Sequence, residues 1–113
     1  MKVKRNDKKV RFRGTLKDNG ELVPSLTQAD SITFICRNKD SSPDGAPDFS
    51  GAATVLDVDE STVVYVTADE DLAERQPGLY QVEWEVVWPT GERETYPSGT
   101  WDELEILADL NPA

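Results

Sequence analysis

Histidine is absent from this chain of 113 residues. That removes the commonest general base and the commonest metal ligand together. Cysteine occurs once, as Cys36, so no intramolecular disulfide can form and stability must come from packing. Lysine is scarce beyond residue 17, where Lys39 stands beside Arg37, Arg75 and Arg93. Long apolar runs are also missing, and no stretch approaches the ~20 residues that a membrane-spanning helix needs. The opening MKVKRNDKKVRFR has no apolar core and is not expected to act as a secretory signal. The chain contains no G-x-S-x-G, no phosphate loop and no Cys/His pair, which excludes the common nucleophile and nucleotide motifs.

What is present is charge, unevenly divided. Lys2, Lys4, Arg5, Lys8, Lys9, Arg11 and Arg13 stand against Asp7 alone in the first thirteen residues, giving about +6; the rest carries −16, and the whole −10. Two regions of opposite sign suggest docking of the basic arm on an acidic surface of another protein or of a neighbouring copy. Nucleic acid is not expected as a partner. The acidic body repels phosphate, and no aromatic side chain precedes Phe12 to stack on bases. Such acidity with so little lysine also suits a high-salt setting, where salt screens self-repulsion.

The strongest pattern is PGLYQVEWEVVW at residues 77–88. Tyr80, Val82, Trp84, Val86 and Trp88 fall at every second position, with Gln81, Glu83 and Glu85 between them. A period of two marks a strand with one face in a core and one in water. Ile32, Phe34 and Cys36 alternate in the same way, and so do Val10 and Phe12. Turn residues punctuate the chain at Asn19–Gly20, Pro77–Gly78 and Thr90–Gly91. Residues 68–77 read as one helical turn led by Asp69, Glu70 and Asp71. Residues 100–107 are ambiguous between helix and strand and are read as strand. The whole predicts an all-β, immunoglobulin-like antiparallel β-sandwich of seven or eight short strands. A basic arm (1–7) would precede it, the sandwich would span 8–107, and a C-terminal tail (108–113) would follow. The expected core is Phe12, Phe34, Tyr80, Val82, Trp84 and Val86.

Chemistry finds few footholds. Asp40, Ser42, Asp44 and Gly45 match the first half of a calcium loop, but the twelfth position is Gly51, where a bidentate carboxylate is needed. Asp57, Asp59 and Glu60 read as a solvated turn. Cys36 lies inside an apolar strand, which suits an inert core thiol. Twenty-two acids always offer some carboxylate pair, yet none sits in a motif, so no enzyme, cofactor or metal is expected. Trp88, Tyr96 and Trp101 offer the alternative of a glycan-binding or host-attachment module, provided that they are exposed and coplanar. The expected contacts are the arm and first strand (Lys2, Lys4, Arg5, Lys8, Lys9, Arg11, Arg13) and then the 38–51 loop (Asp40, Asp44, Pro47, Phe49), since long loops carry contacts.

The order of elements resembles a known family. A charged first strand leads through Asp18-Asn19-Gly20 and Leu22-Val23 to SITFICRN. Then follow Ala52-Ala53-Thr54-Val55, Val63-Val64-Tyr65-Val66, Pro77-Gly78-Leu79-Tyr80, Thr90-Gly91-Glu92-Arg93 and Thr95-Tyr96-Pro97. This resembles the immunoglobulin-like N-terminal domain of tailed-phage baseplate upper proteins and related small virion structural proteins, over residues 8–107. The resemblance implies a structural component of a tailed virus, located in the virion as part of the baseplate, tail, neck or capsid surface. Its partners would be other virion proteins and symmetry-related copies, without catalytic residues. The basic extension and the long 38–51 loop depart from the family pattern.

Overall fold

The computed structural model describes residues 2–39, 46–73, 75–96 and 102–108. Eleven strand segments run through them: β1 (Lys2–Lys4), β2 (Arg11–Thr15), β3 (Lys17–Asp18), β4 (Glu21–Leu22), β5 (Ser31–Asn38), β6 (Phe49–Ala52), β7 (Thr54–Asp57), β8 (Thr62–Val66), β9 (Gly78–Val87), β10 (Arg93–Tyr96) and β11 (Asp102–Leu107). One sheet has the order β1-β11-β9-β5-β6, with β10 also on β9; the other has the order β2-β8-β7. The chain is an all-β, immunoglobulin-like sandwich. Its small sheet corresponds to the B, E and D strands of that fold, and its large sheet centres on C, F and G.

The long alternating run forms β9, the centre of the large sheet. It pairs β5 along one side, while β11 and β10 share its other side end to end. Its residues alternate between buried and half-buried from Tyr80 to Val87. Tyr80 also donates from its hydroxyl to the Gln76 carbonyl at 2.7 Å. A tyrosine at the start of strand F, bonded back to the chain a few residues upstream, is the tyrosine corner of immunoglobulin-like sandwiches.

Aromatic rings join the two sheets where no disulfide can. Phe34 of β5 stacks between Phe12 of β2 and Tyr65 of β8, with ring centroids 5.0 and 4.7 Å away. Trp84 meets Phe34 edge-on at 5.1 Å. Two glycines make room for these rings. A Cβ on Gly14 would lie 2.6 Å from Trp84 Nε1, and one on Gly51 2.5 Å from a Tyr65 ring carbon. Phe12, Phe34, Tyr80, Val82, Trp84 and Val86 are all buried in this core.

The structure moves three expected boundaries. The end of the segment read as the 38–51 loop is already strand: β6 belongs to the large sheet, and β7, after it, to the small one. The chain crosses between them at Ala53, whose N–H donates to Ile32 O at 2.8 Å. Together with the two-residue hairpin β3–β4, this raises the number of segments above seven or eight. The helical turn expected over 68–77 is a pair of tight turns closed by Asp71 N–H to Ala68 O and Arg75 N–H to Leu72 O. Asp71 is buried there rather than solvated at a helix start. Finally, the basic arm is not separate from the sandwich. Residues 2–4 form β1, parallel to β11, and Val3 is buried in the core.

Candidate functional site

The basic segment folds onto its own chain before it turns outward. Lys2 faces Glu105 across the β1–β11 pair, with Nζ and Oε1 4.0 Å apart. Arg5 N–H donates to Leu107 O at 2.9 Å, and Asn6 N–H to Leu72 O at 2.7 Å. Asp7, the one acid in the segment, accepts from Lys4 N–H at 3.2 Å. Asn6 and Lys9 hold positive φ angles of 69° and 55°, so the chain reverses there into β2. Lys4, Lys8 and Lys9 are exposed, and Arg5 is half-buried.

β2 is an edge strand, with β8 on one side and no described strand on the other. Thr67 N–H donates to Val10 O, and Leu16 N–H to Ser61 O, both at 2.9 Å. These bonds fix the ladder's phase. In an antiparallel pair the bonded residues alternate, so Val10, Phe12, Gly14 and Leu16 bond to β8. The backbone N–H and C=O groups of Arg11, Arg13 and Thr15 point away from it, toward the open edge. The side chains of Arg11 and Arg13 are exposed on the outer face, opposite Val66 and Val64. Val66 is 47% exposed. The result is a basic strand edge beside a small apolar stripe.

The 38–51 loop yields less surface than expected. Asp40 and Asp44 lie outside the described residues. Pro47 is half-buried, and Phe49 is buried in β6. Phe49 therefore belongs to the core and not to a contact loop. Arg75 lies over its ring at 5.4 Å, stands 3.8 Å from Asp48, and donates through Nε to Asp71 O at 2.9 Å. Asp71 Oδ2 in turn accepts from Tyr65 Oη–H and from Ala68 N–H. Tyr65, Asp71 and Arg75 thus tie this end of the sandwich together. The sequence gives Tyr65 and Arg75 no such role and places Asp71 at a helix start, because it sits in an Asp-Glu-Asp run that looks solvated.

The opposite end is acidic. Asp18, Glu21, Asp57, Glu60 and Glu92 are exposed there, around the β3–β4 hairpin and the turns after β7 and β9. The cations nearby are Lys17 and Arg93, and Arg93 Nε stands 3.7 Å from Glu85. An open groove of about 320 Å³ lies at this end, lined by Asp18, Glu21, Leu22, Val23, Pro24, Trp88, Glu94 and Tyr96. Glu94 grips both aromatics: Trp88 Nε1–H donates to Oε1 at 3.1 Å, and Tyr96 Oη–H to Oε2. Burial, then the Glu94 hydrogen bond and charge, push the Tyr96 hydroxyl above its usual pKa. Tyr96 is only 4% exposed, so it forms no open platform with Trp88. Trp101 lies outside the described residues.

Metal-holding clusters are not found among the described residues. No group of three or more acid, cysteine or histidine side chains there can hold a metal ion. Asp57 spends Oδ1 on Asp59 N–H and Glu60 N–H, at 3.0 and 3.2 Å, closing its own turn. Cys36 is buried, and its thiol pKa is pushed up to about 12, first by desolvation and then by Asp48. A thiol held protonated in this way is a poor nucleophile. No helix among the described residues is long and apolar enough to cross a membrane.

Comparison with known proteins adds little to this geometry. No family model matches the chain, and no curated protein is similar to it. Among solved structures, it is similar to CopC from Methylosinus trichosporium OB3b, with 13% identity and a TM-score of 0.48 over 99% of this chain and 87% of that one.

Proposed function

We propose that this sandwich is a non-catalytic assembly module that takes an acidic strand of a partner protein along the open edge of β2. The carrying observation is the outward-turned backbone of Arg11, Arg13 and Thr15 with two exposed arginine side chains beside it. Strand addition draws affinity from backbone hydrogen bonds and specificity from the flanking side chains. Two copies of this edge would bring arginine against arginine, so charge opposes pairing of β2 with itself. An acidic strand meets no such penalty. The resemblance to the immunoglobulin-like domain of baseplate upper proteins supports a place in the virion of a tailed virus, in many copies related by symmetry. The partners are other virion proteins.

Imaging of purified particles with an antibody to this chain tests the location. Label at fixed, symmetry-related positions is the expected result; particles without label overturn the virion assignment. The double variant Arg11→Glu/Arg13→Glu tests the edge. It should fold normally and fail to incorporate. Normal incorporation would remove β2 as the contact.

A further inference from the structure

We infer that the groove between the β3–β4 hairpin and β10 receives an arginine or lysine side chain presented by a basic segment of a partner protein. This second contact is independent of the β2 edge. Four features of the groove meet the needs of such a side chain. Its walls combine the apolar groups Leu22, Val23 and Pro24 with the aromatic side chains of Trp88 and Tyr96. An arginine or lysine carries an apolar stem that such walls can cover. Asp18, Glu21 and Glu94 supply three carboxylates, and among the described residues no cation lines the groove. A guanidinium pairs with carboxylates through charge-assisted bonds and stacks on indole. The third feature is order: Glu94 bonds the polar tips of both aromatics, so neither must be fixed when a ligand enters. The fourth is the field. The exposed Asp57, Glu60 and Glu92 at the same end add negative potential, which draws a cation toward the opening.

Other occupants fit less well. A glycan would seek polar tips that Glu94 already holds, and an aromatic platform that the burial of Tyr96 removes. An anion meets three carboxylates. Lys17 neighbours the site on β3, but successive side chains on a strand point to opposite faces, and Lys17 does not line the groove while Asp18 does.

The test uses the full chain and two short peptides. One holds a single arginine between valines, and the other replaces it with citrulline, which keeps the shape and loses the charge. Binding is followed by the indole N–H signal of Trp88 in a proton–nitrogen spectrum, assigned by Trp88→Phe. The arginine peptide should shift that signal saturably, and the citrulline peptide should bind at least about tenfold more weakly. Asp18→Asn/Glu21→Gln should lower the affinity by a similar factor. Both residues are exposed on a two-residue hairpin, so the fold does not depend on them. Glu83→Gln, on the outer face of β9, should change nothing. Equal binding of both peptides, shifts centred on the outer face of β9, or no saturable shift at all would each overturn the assignment. A shift that survives Asp18→Asn/Glu21→Gln would overturn it too.

Discussion

β9 and β1 belong to the same sheet, yet they contribute to the molecule in opposite ways. β9 has ten residues, partners on both sides, and a run of buried side chains centred on Trp84. β1 has three residues, one partner, and a single buried side chain, Val3, between two exposed lysines. The first assembles the core; the second closes one edge of the same sheet. The contrast teaches that a run of like charge does not locate a segment. Lys2 and Lys4 lie in water while the backbone that carries them is fixed in the sheet.

The largest test of this contrast is Trp84→Ala, which should cost about 3–5 kcal/mol in a denaturant melt. Gly14→Ala should injure the same contact from the other sheet, by about 1–3 kcal/mol, because its new Cβ would press into the indole. A loss below about 1 kcal/mol for Trp84→Ala would remove β9 from the centre of the core. Deletion of residues 1–7 comes next. It removes Val3 and the edge pairing, and should cost about 2–3 kcal/mol. Lys2→Gln, by comparison, should cost under about 0.5 kcal/mol, since its ion pair with Glu105 is exposed. A deletion as silent as Lys2→Gln would return residues 1–7 to a solvated tail.

Alkali should act on the interior and spare the basic edge. The hydroxyls of Tyr65, Tyr80 and Tyr96 are raised in pKa, first by desolvation, and the Cys36 thiol is raised from 9.0 to about 12 for the same leading reason. In each case the unfolded chain releases its proton first. The stabilisation is therefore complete below about pH 9 and is lost as pH rises through the folded-state values. The melting temperature should hold to about pH 9 and then fall. Cys36→Val should make that fall shallower, whereas Arg11→Gln should leave it unchanged. An identical alkaline profile for wild type and Cys36→Val would contradict this origin.

Salt should have the smallest effect. With −16 on the hundred residues after Arg13, mutual repulsion opposes folding at low ionic strength. Raising NaCl from ~0.05 M to ~1 M shortens the Debye length to ~3 Å and should raise the melting temperature. A flat or falling response would show that the acidic end carries little strain.

The sequence revealed the interior strands because their patterns are long. Five alternating apolar residues from Tyr80 to Trp88 admit one period, and Ile32-Phe34-Cys36 agrees with it. The Asn19–Gly20 turn was equally legible; both residues have positive φ, 52° and 83°, as a tight hairpin requires. β1 was hidden because three residues set no period and the lysines drew attention to charge. The split between β6 and β7 was hidden because the crossing at Ala53 leaves no turn residue behind. The groove was half legible: Trp88 and Tyr96 stood out as aromatics and Glu94 lies between them, but Asp18 and Glu21 come from a hairpin some seventy residues away. The tyrosine corner had a signal, a tyrosine two residues after Gly78 at the start of a long strand. Tyr80 was read only as a core residue.

The central claim is that the β2 edge is open in the isolated chain and closed in the assembly, and amide hydrogen exchange reads this residue by residue. In the free chain, the amides of Phe12, Gly14 and Leu16 should exchange slowly because they bond to β8, while those of Arg11, Arg13 and Thr15 should exchange fast. In assembled particles all six should be slow. If Arg11, Arg13 and Thr15 are already protected in the free chain, or remain fast after assembly, no partner strand joins at β2 and the account fails.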